Sequence, residues 1–110
     1  MKLFSSIYIG SFGVTMKLFQ ISKRKNPKEL DCLKVPMPIV QEISRTGRIS
    51  MDTADKIISV LSDMKSVITG YKVDDYCLFA GVTLTYAQNH LFLLEQIRLR
   101  TGLSVQISSN

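Results

Sequence analysis

Along the first part of the chain apolar and polar positions alternate in the manner of strands, and along the second part they fall at the three-and-four spacing of helices. Leu3 to Gly10 reads as a strand. Val14 to Ser22 reads as a second, with Val14, Met16, Leu18 and Gln20 on one side and Thr15, Lys17, Phe19 and Ile21 on the other. The partly apolar second side predicts a strand covered on both faces over part of its length. Gly10-Ser11-Phe12-Gly13 separates the two runs and predicts a tight turn between paired strands. Lys23 to Glu29 is expected to be a charged, solvated hairpin tip, and Leu30 to Val35 a third strand. Pro36 and Pro38 should end that strand or hold it at a sheet edge, because proline donates no ladder hydrogen bond. Ile39 to Ile49 reads as a linker.

From Ser50 the pattern changes. Met51, Ala54, Ile57, Ile58, Leu61, Met64, Val67 and Ile68 mark one face of an amphipathic helix, capped by Ser50 or Asp52 and stopped at Gly70. The charged residues of its other face, Asp52, Asp55, Lys56, Asp63 and Lys65, are read as solvated. Tyr76 to Val82 is a short apolar run of the kind found in a buried central strand, ending at a glycine, Gly81. Thr83 to Asn89 fits either a helical turn or a loop. His90 to Thr101 repeats a helical pattern through Leu91, Leu94, Ile97 and Arg98, closed by Gly102. Leu103 to Ser108 is read as a last strand, with Val105 and Ile107 on one side. The order predicts an α/β fold: a mixed sheet, β-β-β-α-β-α-β, with helices packed against it.

Composition narrows the function. A chain of 110 residues with 45% apolar and 21% charged residues supports one domain with one core, too small for a two-lobed enzyme. A net charge of +5 favours acidic partners such as phosphate, polyphosphate, nucleic acid or an anionic surface. The fourteen basic residues are scattered and no basic stripe is interleaved with aromatics, which argues against nucleic acid. Cys32 and Cys77 each sit in an apolar run without Cys-x-x-Cys spacing, and there is one histidine, so no zinc site is proposed. Both cysteines are expected to be reduced thiols in the core of a cytoplasmic protein. Lys2 and the apolar run to Met16 imitate a signal peptide, but no small-x-small cleavage site follows and Lys17 interrupts the run. No run approaches the length of a membrane span.

The glycines at the first bend permit successive backbone N–H groups to converge on one oxygen, the geometry a phosphate needs; an ordinary hairpin turn is the alternative. His90, beside Asn89 at a helix start, is expected to cap or to lie exposed rather than to catalyse.

The order of elements and the residues that punctuate it resemble the N-terminal domain of the exopolyphosphatase and guanosine pentaphosphate phosphohydrolase (Ppx/GppA) family, whose fold is the ribonuclease H-like, actin-like ATPase fold. The resemblance covers nearly the whole chain. Ile7 to Val14 looks like the family's first phosphate loop, and Gly47-Arg48-Ile49-Ser50 like the Gly-x-Leu-Ser that leads into its long helix. Phe79 to Asn89 is similar to its Val-Ala-Thr-Ser-Ala-Leu-Arg-Glu-Ala-x-Asn segment, and Thr101-Gly102-Leu103 matches its Thr-Gly-Leu before a strand. The resemblance implies phosphate binding at Gly10, Ser11 and Gly13, with Gly81 and Thr83 facing them.

The departures are as informative. Where the family's loop reads Asp-x-Gly-Ser-Asn-Ser, with the acid helping to hold a divalent metal, this chain has Tyr8, Gly10, Ser11, Phe12 and Gly13. A phenol does not replace a carboxylate for a hard cation, so the family's magnesium is not expected here. Gly81, Val82 and Thr83 stand against the family's Thr-Ser-Ala, and Thr85 against its arginine. The arginine before the family's Leu-Gly-Glu-Gly run falls at Pro38, and the glycines of that run at Val40 and Glu42. The family's general-base glutamate follows the last strand, where this sequence reads Ser108-Ser109-Asn110. No catalytic or metal-ligating residue is therefore assigned. The expectation is a single lobe, residues 1–110, from a longer phosphatase-like protein, inactive alone. Its expected partners are phosphate or polyphosphate, a missing C-terminal lobe, or a second copy; the alternative is a non-catalytic regulatory or assembly module.

Overall fold

A computed structural model describes residues 1–108. Ser109 and Asn110, at the expected end of the lobe, lie outside the described residues. Strands β1 (Lys2–Gly10), β2 (Gly13–Ser22) and β3 (Lys25–Pro36) are followed by helices α1 (Ile39–Thr46) and α2 (Met51–Gly70). Strand β4 (Asp75–Ala80), a 3-10 turn (Val82–Tyr86), helix α3 (His90–Thr101) and strand β5 (Gln106–Ile107) complete the chain. The sheet order is β3-β2-β1-β4-β5, antiparallel through β3, β2 and β1 and parallel from β1 to β4 to β5. The mixed α/β sheet expected from the sequence is present, with one helix more than expected.

Alternation decides which face the sheet buries. Ile7 and Ile9 of β1, Val14 and Met16 of β2, and Leu78 and Ala80 of β4 point to one side, where all three helices join them in a single core. Helix α2 contributes Ala54, Ile57, Ile58, Leu61, Met64 and Ile68 to it, at the spacing of one helical face. Removing a side chain such as that of Leu61, fully buried there, costs about 2–5 kcal/mol. Ser5 enters the same side without penalty, because its hydroxyl donates to the Lys17 carbonyl at 3.0 Å. Among the described residues no helix is long and apolar enough to cross a membrane.

Several expectations need correction. Ile39 to Ile49 is not a linker: it opens with α1, which buries Ile39 and Ile43 and ends at left-handed Gly47, whose N–H reaches the Ile43 carbonyl at 2.8 Å. Strand β3 starts at Lys25, five residues earlier than expected, and only Lys23 and Arg24 form the hairpin tip. β3 is the edge strand, as its prolines imply, and its lysines and the bulges opposite β2 are what keep such an edge from pairing further. Ser50 caps α2 by accepting from the Thr53 N–H at 3.1 Å, but Gly70 is the last helical residue and the left-handed residue is Lys72 (φ 54°). Thr83 to Asn89 begins inside the 3-10 turn, which opens at Val82, and the last strand shrinks to two residues. On the other side of β2, Thr15, Lys17 and Phe19 are half-buried and Ile21 is exposed, so that side joins no core. Cys32 and Cys77 are free but only half-buried and belong to no core.

A candidate cleft between two glycine bends

The parallel pairing of β1 with β4, which sets Ile9 against Ala80, brings the carboxyl ends of both strands side by side. Gly10 and Gly81 follow directly, and the Gly81 N–H donates to the Ile9 carbonyl at 3.1 Å. Beyond them the two bends meet: the Ser11 hydroxyl donates to the Thr83 hydroxyl at 3.1 Å, linking residues far apart in the sequence. Crevices of this kind, outside the carboxyl ends of neighbouring parallel strands, are where α/β sheets bind ligands. The first bend is fixed from behind, because the Phe12 carbonyl accepts from Met37 N–H and the Ser11 carbonyl from Val40 N–H, both at 2.9 Å. The short amphipathic helix that sequence reasoning missed, together with Met37 just before it, thus holds the loop in place.

The expected phosphate-binding residues divide. Gly10, Ser11, Gly81 and Thr83 come together at the cleft. Gly13 borders one hollow with Gly10 and Ser11 but is held by backbone: at φ 149° it lies under β3, and a methyl group there would strike the Val35 carbonyl and come within 2.9 Å of Pro36 Cα. A methyl on Gly10 or Gly81 would instead meet a side chain. On Gly10 it would stand 2.7 Å from Cε2 of Tyr8, and on Gly81 it would strike the Tyr8 hydroxyl, with Cζ at 3.3 Å. The Tyr8 ring therefore lies across both glycines. It also packs on Phe79, ring centres 5.0 Å apart and planes tilted by 49°.

The rim is aromatic and apolar. Tyr8, Gly10, Ser11, Phe12, Gly13 and Pro36 line an open hollow of about 350 Å³ on the β2–β3 side of the first bend, with Lys34 at its edge; Gly81 and Thr83 do not border it. Phe12, at the tip of the bend, is 76% exposed. No carboxylate lines this hollow, and no group of three or more His, Cys, Asp or Glu side chains among the described residues is placed to hold an ion. A phenol and two hydroxyls do not fit magnesium, which is held through carboxylates and phosphate oxygens. Cys77 lies on the same outer face of the sheet; burial pushes its thiol up, a backbone hydrogen bond at Ile7 opposes this and Asp75 adds to it, so the thiol stays protonated.

His90 stays away from the cleft, its Nδ1 2.9 Å from the Ala87 carbonyl oxygen. Asn89 clamps Ile49 instead, accepting from its N–H at 3.0 Å and donating to its carbonyl at 2.8 Å. Glu42 is the polar hub that the sequence did not announce. Its carboxylate accepts from Ser50 N–H at 2.9 Å, from the Ser50 hydroxyl at 3.3 Å and from the Thr53 hydroxyl, tying α1 to the start of α2. Desolvation raises its pKa, but the bonds from Thr53 and Ser50 and the charge of Arg45 outweigh it, and the net effect is to hold the carboxyl below its ordinary value.

No protein-family model and no curated protein matches the sequence. Solved structures do. The crystal structure of the Aquifex aeolicus Ppx/GppA family member superimposes with a TM-score of 0.90 and 26% identity, over 97% of this chain and 35% of that one. The type II variant of the Aquifex aeolicus Ppx/GppA phosphatase gives 0.91 and 26%, over 98% and 36%. The chain has the N-terminal domain fold of the Ppx/GppA family. An exopolyphosphatase from Cytophaga hutchinsonii, at 0.85 and 14% identity over 96% of this chain and 34% of that one, shares the fold. The chain spans about a third of the length of these Ppx/GppA-type structures.

Proposed function

We propose that the chain is the phosphate-loop lobe of a Ppx/GppA-type protein, built to present one wall of a phosphate cleft to a second, C-terminal lobe, and that it does not hydrolyse phosphoanhydrides by itself. The observation that carries this reading is the contact of the two bends at Ser11 and Thr83, with a phenol, Tyr8, in place of the loop carboxylate. Phosphoryl transfer to water rests on positioned charge: cations that neutralise the transferring group and a carboxylate that orients the water. The cleft supplies neutral hydroxyls, those of Ser11 and Thr83, while the Gly81 N–H is already given to the Ile9 carbonyl. Such donors suit phosphate or the end of a polyphosphate chain, without magnesium, once the space over the two bends is open. The lobe's proposed location is the cytoplasm, in keeping with its two free thiols.

The test is a magnesium-dependent phosphate-release assay with polyphosphate and guanosine pentaphosphate. No turnover above the protein-free blank is expected; turnover abolished by Ser11→Ala would overturn the reading. The second reading, a regulatory or assembly module, draws on the apolar side chains left exposed on α3, Leu91, Phe92 and Leu99. It and the missing-lobe reading both expect self-association of the isolated chain, and light scattering from a monodisperse monomer would count against that.

A further inference from the structure

We propose that Tyr8 is the gatekeeping residue of the cleft: its ring occupies the space between the two glycine bends that an oxyanion would take, so the chain excludes small phosphates until that ring is removed or displaced. This rests on reading the bends as an anion cleft, and goes beyond it by naming what decides occupancy.

An oxyanion lying over both bends needs open space above the Cα atoms of Gly10 and Gly81. Glycine leaves that space free by lacking a Cβ. Over Gly10 and Gly81 it is filled, by Cε2 and by the hydroxyl of Tyr8 respectively, at distances shorter than a Cβ would tolerate. Ring and oxyanion compete for one volume. The donors beside it are engaged as well: the Gly81 N–H is given to the Ile9 carbonyl and the Ser11 hydroxyl to Thr83, whose own hydroxyl proton is left to offer.

Little besides that volume holds the ring. Its contact with Phe79 is one tilted pair, worth about 0.5–1.5 kcal/mol. Tyr8 is 37% exposed, and among the described residues its hydroxyl has no hydrogen-bond partner. Removing the ring leaves no buried polar group unsatisfied and no core cavity, because Tyr8 points away from the core that Ile7 and Ile9 enter. Both bends keep their own supports, at Met37, Val40 and the Ile9 carbonyl.

Isothermal titration of inorganic phosphate and of tripolyphosphate into the full chain decides the matter, with wild type, Tyr8→Phe, Tyr8→Ala and the double variant Tyr8→Ala/Ser11→Ala. Wild type and Tyr8→Phe should give no heat up to millimolar ligand, since it is the ring that closes the cleft. Tyr8→Ala should bind ~10-fold tighter or more than wild type, and Ser11→Ala should remove that gain. Circular dichroism establishes folding; if Tyr8→Ala unfolds, Tyr8→Val, β-prone and too short to reach Gly81, takes its place. A folded variant that binds no tighter than wild type overturns the proposal, and so does wild type binding as tightly as Tyr8→Ala. In the latter case, if Ser11→Ala abolishes wild-type binding, the cleft reading survives while the gate does not. Hydrolysis by wild type would overturn the functional reading alone, whatever the titrations give.

Discussion

Gly13 on one side and Gly10 with Gly81 on the other are the same residue type under opposite constraints. Gly13 is glycine because backbone lies above it: φ is 149°, and the Val35 carbonyl and Pro36 Cα occupy the place of a side chain. Gly10 and Gly81 are glycine beneath a single side chain, that of Tyr8, and Gly81 sits at φ −71° and ψ 162°, where any L-residue is at ease. One glycine belongs to the hairpin; the other two belong to whatever fills the cleft. In a glycine-rich bend, the atom above each missing Cβ separates residues that build the fold from residues that shape a site.

That contrast sets the order of expected effects. Gly13→Ala should be the most damaging change, about 3 kcal/mol or more, because neither backbone neighbour can turn aside. A denaturant midpoint close to wild type would erase the contrast. Gly81→Ala should cost about 1–2 kcal/mol in wild type, from overpacking against the Tyr8 hydroxyl, and almost nothing in a Tyr8→Ala background. A double-mutant cycle without coupling would show that the ring does not press on Gly81.

Glu42 sharpens the contrast from outside the cleft. Its folded pKa is depressed, so its stabilising bonds are fully present above the ordinary value of 4.5 and are lost as pH falls through the lower folded value. Glu42→Gln should flatten that acid-side loss, cost about 1 kcal/mol at neutral pH, and add independently to Tyr8→Ala, with which it shares no partner. Urea melts between pH 3 and 7 check both statements. Ser11→Ala should be the mildest, about 0.5 kcal/mol by the same measurement, since its one hydrogen bond is partly solvated.

The elements with strong periodicity were legible from the sequence: β1, β2, α2, β4 and α3 lie where alternation and helical spacing put them, and the Gly-punctuated bends face each other as the family resemblance implies. Helix α1 was missed because it is short and follows Pro38, although Ile39 and Ile43 at helical spacing and Gly47 as a stop were there to be read. The first half of β3 was missed because an edge strand needs no apolar alternation, and its Lys25, Pro27 and Lys28 look like a loop. In the cleft, sequence supplied Tyr8 as a substitution and Gly13 as a loop glycine. That the Tyr8 ring covers two glycines far apart in sequence follows only from the parallel pairing of β1 with β4, and that Gly13 serves β3 follows only from the hairpin register.

The claim beneath all of this is that the Tyr8 ring lies in the cleft, across both bends. Nuclear Overhauser spectra of the wild-type chain test it most directly. Tyr8 ring protons should show strong effects to the α-protons of both Gly10 and Gly81, alongside those to the Phe79 ring; effects to neither glycine, in a chain whose β1 and β4 are paired, would contradict it.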